Sequence, residues 1–344
     1  MSDTEAPLIT ISLVTYNGMR WLDACLASAV AQTYPAVEFI ILDNGSTDET
    51  VGRLVAFARD HASVRLIQSP ENLGFAVAHN RNLELARGAY VCLLNQDVVL
   101  DGGFLQEAAG AFATDPGLAA VQGKLLRLGP ALERRNAFDT TGLLMRRNRR
   151  VTSRGQDRDD NGEFDLPGSI FGADGPAPVF RVTALQDVRE PKSGGGWEIL
   201  DEDFFMYKED VDLAWRLLLF GWNAAYVPTA VAWHARGAGA SAESARALAH
   251  QRRMLPTWVK CLSWGNQRLM QVKNEQGRLF TRDVIPILWK ELRALAFLAV
   301  FETRCLGAIP RLIRGLPAAR MKRAYIMKHK RRSSKDMEGW FRNP

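Results

Sequence analysis

The sequence predicts an α/β protein: an open, mostly parallel sheet with helices on both faces, followed by a C-terminal helical extension. Three observations predict it. Short β-rich apolar runs alternate with helical patterns through the N-terminal part of the chain. Polar and acidic residues gather where those runs end. Beyond about Gly237 the pattern turns helical and basic.

The elements follow in chain order. Residues 8–15 read as a buried strand, 21–32 as a helix and 37–42 as a second strand that ends at the turn Asp43-Asn44-Gly45. Residues 50–61 are helical, 64–68 a strand, 76–87 a helix stopped by Gly88, and 90–94 a strand. Sheets of this kind bind ligands beyond the carboxyl ends of their strands. Tyr16-Asn17, Asp43 and Asn95-Gln96-Asp97 all fall at such ends, so one cleft is expected there. Residues 127–168 are irregular and rich in Arg, Asp and Gly. They read as a hairpin excursion whose densest basic patch is Arg146-Arg147-Asn148-Arg149-Arg150. After the flexible Gly194-Gly195-Gly196 comes the acidic cluster Glu209-Asp210-Val211-Asp212. It precedes a helix over 213–220, and a run over 226–233 leads to His234.

The chain has 344 residues, 47% of them hydrophobic, enough for one large domain or two smaller ones. Its net charge of +6 is unevenly placed. No acid separates Arg311, Arg314, Arg320, Lys322, Arg323, Lys328, Lys330, Arg331, Arg332 and Lys335. Such a block favours polyanions, and reads either as a membrane-binding segment or as a solvated helical subdomain with a disordered basic tail. The most apolar late stretch, 284–301, carries Lys290, Glu291 and Arg293, which argues against a spanning helix and for one lying on a surface. Cys25, Cys92, Cys261 and Cys305 are scattered without a CxxC pair, so neither a zinc knuckle nor a disulfide framework is expected, and a reducing compartment fits. The polar, acidic N-terminus does not read as a secretory signal.

Each motif has a bland reading beside a functional one. Ser46 with Glu49 forms a capping box in sequence. Asp43 serves equally as a turn former or as a carboxylate holding a nucleoside. Asp97 is a turn residue or a metal ligand, since Mg²⁺ and Mn²⁺ favour carboxylate oxygens and substrate phosphates. Asp212 suits a helix start and pairs with Arg216 at i,i+4, which leaves Glu209 and Asp210 as the surplus. One of those two is a candidate general base. A lone His234 is ordinary, but becomes a ligand candidate once Asp97 shares its cleft. No GxGxxG, GxxxxGK[ST] or GxSxG is present, which argues against dinucleotide-binding, P-loop and α/β-hydrolase chemistry.

The ordered set Val14-Thr15-Tyr16-Asn17, Asp43-Asn44-Gly45-Ser46-Thr47-Asp48, Glu71-Asn72-Leu73-Gly74-Phe75, Asn95-Gln96-Asp97, 203–216, Gly221-Trp222, Tyr226-Val227-Pro228 and His234 resembles the inverting nucleotide-sugar glycosyltransferases of the GT-A fold, rhamnosyltransferases among them. The resemblance implies a catalytic domain over 1–236, with a donor half to about 126 and an acceptor half from 127, and a basic helical region over 237–344. It implies that Thr15, Tyr16, Asn17, Asp43, Ser46, Asn72, Gly74 and Asn95 line the donor nucleotide. Asp97 and His234 would hold Mg²⁺ or Mn²⁺, with Asn95 standing where the family has an Asp. Asp210, with Glu209, would be the catalytic pair. The implied partners are a nucleoside-diphospho-sugar such as dTDP-rhamnose, a saccharide or polyprenyl-diphosphate-linked acceptor, and an anionic membrane surface, with no nucleic acid. The implied setting is the cytoplasm, on the inner face of the cytoplasmic membrane, in cell-envelope polysaccharide synthesis. The rivals are a sugar-phosphate nucleotidyltransferase and a non-catalytic, basic nucleic-acid-binding protein.

Overall fold

The structure is a computed structural model that describes residues 6–236 and 255–342. The start of the 237–344 region therefore lies outside the described residues. Strands β1 (Ile9–Thr15), β2 (Val37–Asp43), β3 (Val64–Gln68) and β4 (Tyr90–Asn95) are parallel neighbours in the order β4-β1-β2-β3. Helices α1 (Met19–Val30), α2 (Thr50–Asp60) and α3 (Phe75–Leu85) connect them. All were expected to within a few residues. The α3 helix ends at Leu85 instead of running on to Arg87, which turns aside and donates to Glu38 through its backbone N–H at 2.7 Å and its Nε at 2.8 Å.

Beyond β4 the sheet changes character. After β5 (Val98–Leu100) and α4 (Phe104–Thr114), the long β6 (Leu118–Leu128) is followed by β7 (Arg134–Thr140), β8 (Leu143–Arg146), β9 (Val151–Ser153), β10 (Gly168–Ile170) and β11 (Val179–Arg181). The β11 strand inserts antiparallel between β4 and β6. A short helix α5 (Val182–Asp187) and a small hairpin of β12 (Glu190–Pro191) and β13 (Trp197–Glu198) precede helix α6 (Glu209–Leu219). Strand β14 (Asn223–His234) then pairs parallel with β6 and antiparallel with β5 and β10. Alternate residues of β4 feed two cores: Val91 and Leu93 pack with α3 and α6, and Tyr90, Cys92 and Leu94 with α1, α2 and α4. Both faces of the sheet are thus covered, which accounts for the near-continuous apolar runs.

The C-terminal helices α7 (Thr257–Asn274), α8 (Gly277–Phe301) and α9 (Ile309–His329) join the first of these cores through Leu269, Met270, Leu279, Ala319 and Ile326. The chain closes with β15 (Phe341–Arg342), which pairs parallel with β8. Three expectations are corrected here. The basic end is no disordered tail: Lys322 is buried, Arg331 pairs with Asp187 at 2.6 Å, and Arg332 donates to Asn223 at 2.5 Å. The patch at 146–150 is turned inward, with Arg149 fully buried against Glu275 (2.6 Å) and Asp283 (2.8 Å) and Arg147 on Asp283 (2.8 Å). Through Arg147 and Arg149 it docks α8. Cys261 and Cys305 form a disulfide between α7 and the turn after α8, a pairing that helix packing creates and spacing conceals.

Candidate active site

The carboxyl ends of β1, β2, β4 and β14 meet on one edge of the sheet. The β5–β14 register sets His234 across from Val98, and the Ala235 N–H donates to the Asp97 carbonyl at 3.0 Å. Against β6, β14 bulges between Val227 and Val231, at Pro228, which has no N–H for the ladder. Glycine is required opposite: a Cβ on Gly123 would stand 2.3 Å from the Ala230 carbonyl oxygen.

The imidazole of His234 therefore sits between two carboxylates. Its Nε2 is 3.3 Å from Asp97, and its Nδ1 is 2.8 Å from Asp139. Asp139 is fully buried and is also held by Arg236 Nε at 2.6 Å and Arg127 at 3.2 Å. Burial opposes charge on the ring, but Asp97 and Asp139 outweigh it and raise His234 to about 9. Burial likewise works against ionised Asp97, yet the His234 charge holds this carboxyl below the usual range. Such a ring keeps a cation between Nε2 and Asp97, whether a proton or a metal. One imidazole nitrogen with a carboxylate oxygen suits a divalent ion, and Asp139 stands where metal-ligating histidines carry their orienting carboxylate.

Glu209 and Asp210 open α6, one turn earlier than the expected helix start, so they lie inside the helix and do not merely precede it. The chain reaches them through left-handed Phe205 (φ 64°), Tyr207 (φ 68°) and Lys208 (φ 82°), conformations that non-glycine residues adopt only under constraint. The constraint comes from α7. The buried Asn266 amide donates to the carbonyls of Phe204 (2.9 Å), Met206 (3.0 Å) and Tyr207 (2.9 Å). The Phe205 carbonyl accepts the Phe75 N–H at 2.7 Å beside Gly74 (φ 81°), where a Cβ would strike the Phe205 ring at 2.5 Å. Asn266→Leu leaves these carbonyls without their donor. It is expected to cost about 1–3 kcal/mol of stability in chemical denaturation, and to lower kcat about 10²-fold by displacing the following pair.

Burial, then the Asp174 charge, pushes Asp210 up to about 6. Burial, then Asp210, pushes Glu209 up to about 8. The two carboxyls are thus separated in protonation at neutral pH, one ionised and one neutral. Asp174 is fixed by Ser153 Oγ at 2.6 Å and by its own N–H to Gln122 at 2.7 Å.

One cleft of about 390 Å³ is lined by Asn95, Asp97, Asp174, Glu209, Asp210 and His234. The other expected donor residues form a hydrogen-bonded group at the ends of β1 and β2, outside that lining. Thr15 donates to Asp43 at 3.2 Å, Asp43 accepts the Ser46 N–H at 3.0 Å, and Ser46 Oγ accepts the Asn17 N–H at 2.9 Å. Tyr16 exchanges hydrogen bonds with Gln96 (2.9 and 3.1 Å), and Asn72 accepts from the Gly74 N–H at 2.9 Å. The expected capping box is absent. Helix α2 starts at Thr50 with no side-chain cap, because Ser46 is engaged by Asn17.

Asp139, Asp174, Arg236 and Asn266 were not anticipated. Only Asp174, between Gly172 and Gly175, carries a sequence cue, a carboxylate in a glycine-framed turn. A second carboxylate cluster, Glu190, Asp201 and Asp212, is close-set enough for a metal. Its centre holds an ammonium instead: Lys273 Nζ is 2.5 Å from Glu190, 3.0 Å from Asp212 and in contact with Asp201, all buried.

Residues 10–175 match the family Glycosyl transferase family 2. The poly-beta-1,6-N-acetyl-D-glucosamine synthase of Staphylococcus epidermidis is 28% identical over 227 residues, covering 65% of this chain and 49% of that protein. The chondroitin synthase of Escherichia coli is 35% identical over 117 residues, covering 34% of this chain and 17% of that one. The chain thus spans about half or less of these curated relatives. Among solved structures, S. aureus TarS 1-349 in complex with UDP-GlcNAc superposes with a TM-score of 0.55 at 15% identity, covering 94% of this chain and 89% of that one. GalNAc-T7 with UDP, GalNAc and Mn²⁺ gives 0.56 at 11% identity, covering 82% and 55%. These likenesses establish the GT-A fold.

Proposed function

Because residues 10–175 are a glycosyl transferase family 2 domain, we propose that this protein moves a sugar from a nucleoside-diphosphate donor to a hydroxyl of a saccharide or lipid-linked saccharide, with inversion, in cell-envelope polysaccharide synthesis. The observation that carries the reading is the convergence of Asp97, His234 and Asp210 on one cleft at the carboxyl edge of the sheet. The catalytic unit is 1–236, with 237–344 an accessory region whose described part is largely helical. The setting is the cytoplasm, peripheral on the inner face of the cytoplasmic membrane.

Asp210, ionised at neutral pH, accepts the proton of the attacking hydroxyl. Glu209 stays protonated beside it and cannot compete as base. Thr15, Tyr16, Asn17, Asp43, Ser46, Asn72, Gly74 and Asn95 hold the nucleotide. Asp97 and His234 would hold Mg²⁺ or Mn²⁺, which as a Lewis acid neutralises charge on a departing diphosphate. Mn²⁺ in the GalNAc-T7 structure supports that assignment. Asp139→Asn removes the carboxylate that orients His234. It is expected to weaken Mn²⁺ binding about 10–100-fold by isothermal titration calorimetry.

The deciding experiment measures nucleoside-diphosphate release from dTDP-rhamnose, UDP-GlcNAc and GDP-mannose with Mg²⁺ or Mn²⁺. The first donor is suggested by the motif order, the others by the solved neighbours. Turnover of one donor that disappears in Asp97→Ala supports the reading. No turnover of any, with no thermal shift by UDP, GDP or dTDP, overturns it.

A further inference from the structure

Helix α8 kinks at Asp283, just before Pro286, and its outward face then changes composition. From Ile285 onward that face is Ile285, Leu288, Trp289, Leu292, Leu295 and Val300. The exposures are large: 78% for Ile285, 52% for Leu288, 62% for Trp289 and 60% for Leu292. The i, i+3, i+4, i+7 spacing makes one unbroken stripe, about 24 Å long at the usual helical rise. Soluble monomers rarely leave so continuous an apolar strip in water. No helix among the described residues is long and apolar enough to cross a membrane.

The charges around the stripe identify its partner. Arg293 is exposed within its length, and Arg278 and Arg304 are exposed before the kink and just after the helix end. The acids of the same segment face inward or are neutralised. Asp283 lies under Arg147 and Arg149, Glu291 pairs with Arg268, and Glu302 lies 3.7 Å from Lys260. The inner side of α8 is fixed by Leu298 against Trp264 and the buried Cys305. The stripe therefore cannot turn into the protein without breaking that contact. Lys290, on the same helix, is half-buried and pairs with Glu291 at 2.7 Å. Glu291 of α8 pairs with Arg268 of α7, and Ser263 of α7 lines the catalytic cleft, so α8 packs on an element of the cleft wall.

We infer that the outer face of α8 is an interfacial helix that seats the protein on an anionic lipid bilayer, its apolar stripe inserted and its arginines on the headgroups. This rests on the peripheral placement proposed above, but not on the sugar chemistry. It relocates the contact from the C-terminal basic block, much of which is spent on docking, to a helix that the block helps to hold. A bilayer-anchored acceptor would then arrive at the cleft wall.

The test uses the full chain with vesicles of phosphatidylcholine, with and without phosphatidylglycerol. Binding is expected only to the anionic vesicles and is expected to weaken with salt. Leu288→Glu with Leu292→Glu should lower partitioning more than tenfold. Arg278→Gln and Arg304→Gln should each lower it about fivefold. Brominated lipid should quench wild-type fluorescence more than that of Trp289→Phe, a readout that does not depend on the glutamate variants folding. Three results overturn the inference: no binding of the wild type to anionic vesicles, binding unchanged in the double glutamate variant, or a lipid-indifferent dimer that Leu292→Glu splits. Nucleoside-diphosphate release from soluble donor is expected to be unchanged in the double glutamate variant. Failure of the transfer reading would therefore leave vesicle binding intact, and the reverse.

Discussion

Asp210→Asn is expected to lower kcat about 10²–10⁴-fold, the range for removal of a positioned general base, while making the protein more stable. The two effects share one cause. Burial and the neighbouring Asp174 raise the folded pKa of Asp210 to about 6, above its ordinary value. A carboxyl raised on folding contributes stability that is full below its unfolded pKa and lost as pH rises through the folded one. At neutral pH the ionised side chain therefore costs the fold about 1–3 kcal/mol, and asparagine removes that cost without changing shape. The melting temperature should rise by a few degrees at pH 7.5 and hardly at all at pH 4. In the wild type, kcat should fall as pH drops below about 6, because Asp210 then carries a proton. Glu209→Gln should leave that acid limb in place, since Glu209 is raised to about 8 and is already protonated there. Undiminished turnover in Asp210→Asn, or an acid limb that survives in it, would remove Asp210 as the base.

The N-terminal half of the fold was legible because β1, β2 and β4 are near-continuous buried runs separated by patterned helices, with the half-exposed β3 at the sheet edge. Their burial on both faces writes itself into local composition. The 118–181 segment was not legible, because β9, β10 and β11 have three residues each and β11 finds its place only by inserting between strands distant in sequence. The site divides the same way. Asp97 and Asp43 end strands, and Glu209-Asp210 opens a helix, so position alone marked them. Asp139 and Asn266 act across 95 and 59–62 residues on His234 and the 204–207 carbonyls, and no local pattern encodes such reach. Ser46 shows the converse error: a sound local motif, S-x-x-E, gave way to a tertiary partner, the Asn17 N–H. The basic C-terminal block misled for a related reason. Lys322 and Arg332 look solvated in sequence, but they supply counter-charge and hydrogen bonds to the interior.

Lys273→Met is expected to be the most damaging single change to stability. Lys273, Lys322 and Arg216 face Glu190, Glu198, Asp201 and Asp212, linked through shared ion pairs and shielded from solvent. The fourth carboxylate exceeds the three cations, and burial, together with Asp212 and Asp201, raises Glu190 to about 7 despite Arg216 and Lys273. Burial alone would lower Lys273, but Asp201, Asp212 and Glu190 hold it above the usual lysine range. Its contribution is therefore fully present at neutral pH and is lost only as pH rises through that elevated value. Removing the ammonium strands three carboxylates together in a dry interior, a cost of about 3–5 kcal/mol, set against a total stability of about 5–15 kcal/mol. The loss reaches the cleft, because Asp212 lies on α6 two residues after Asp210 and is also held by Asn274 of α7 at 2.7 Å. Urea denaturation should show the drop, and adding Asp201→Asn to Lys273→Met should recover part of it by restoring the charge balance, a coupling that a double-mutant cycle reads directly. If Lys273→Met unfolds within about 1 kcal/mol of wild type, or if the second change makes matters worse, the ammonium does not hold α7 to α6 and to the β12–β13 hairpin.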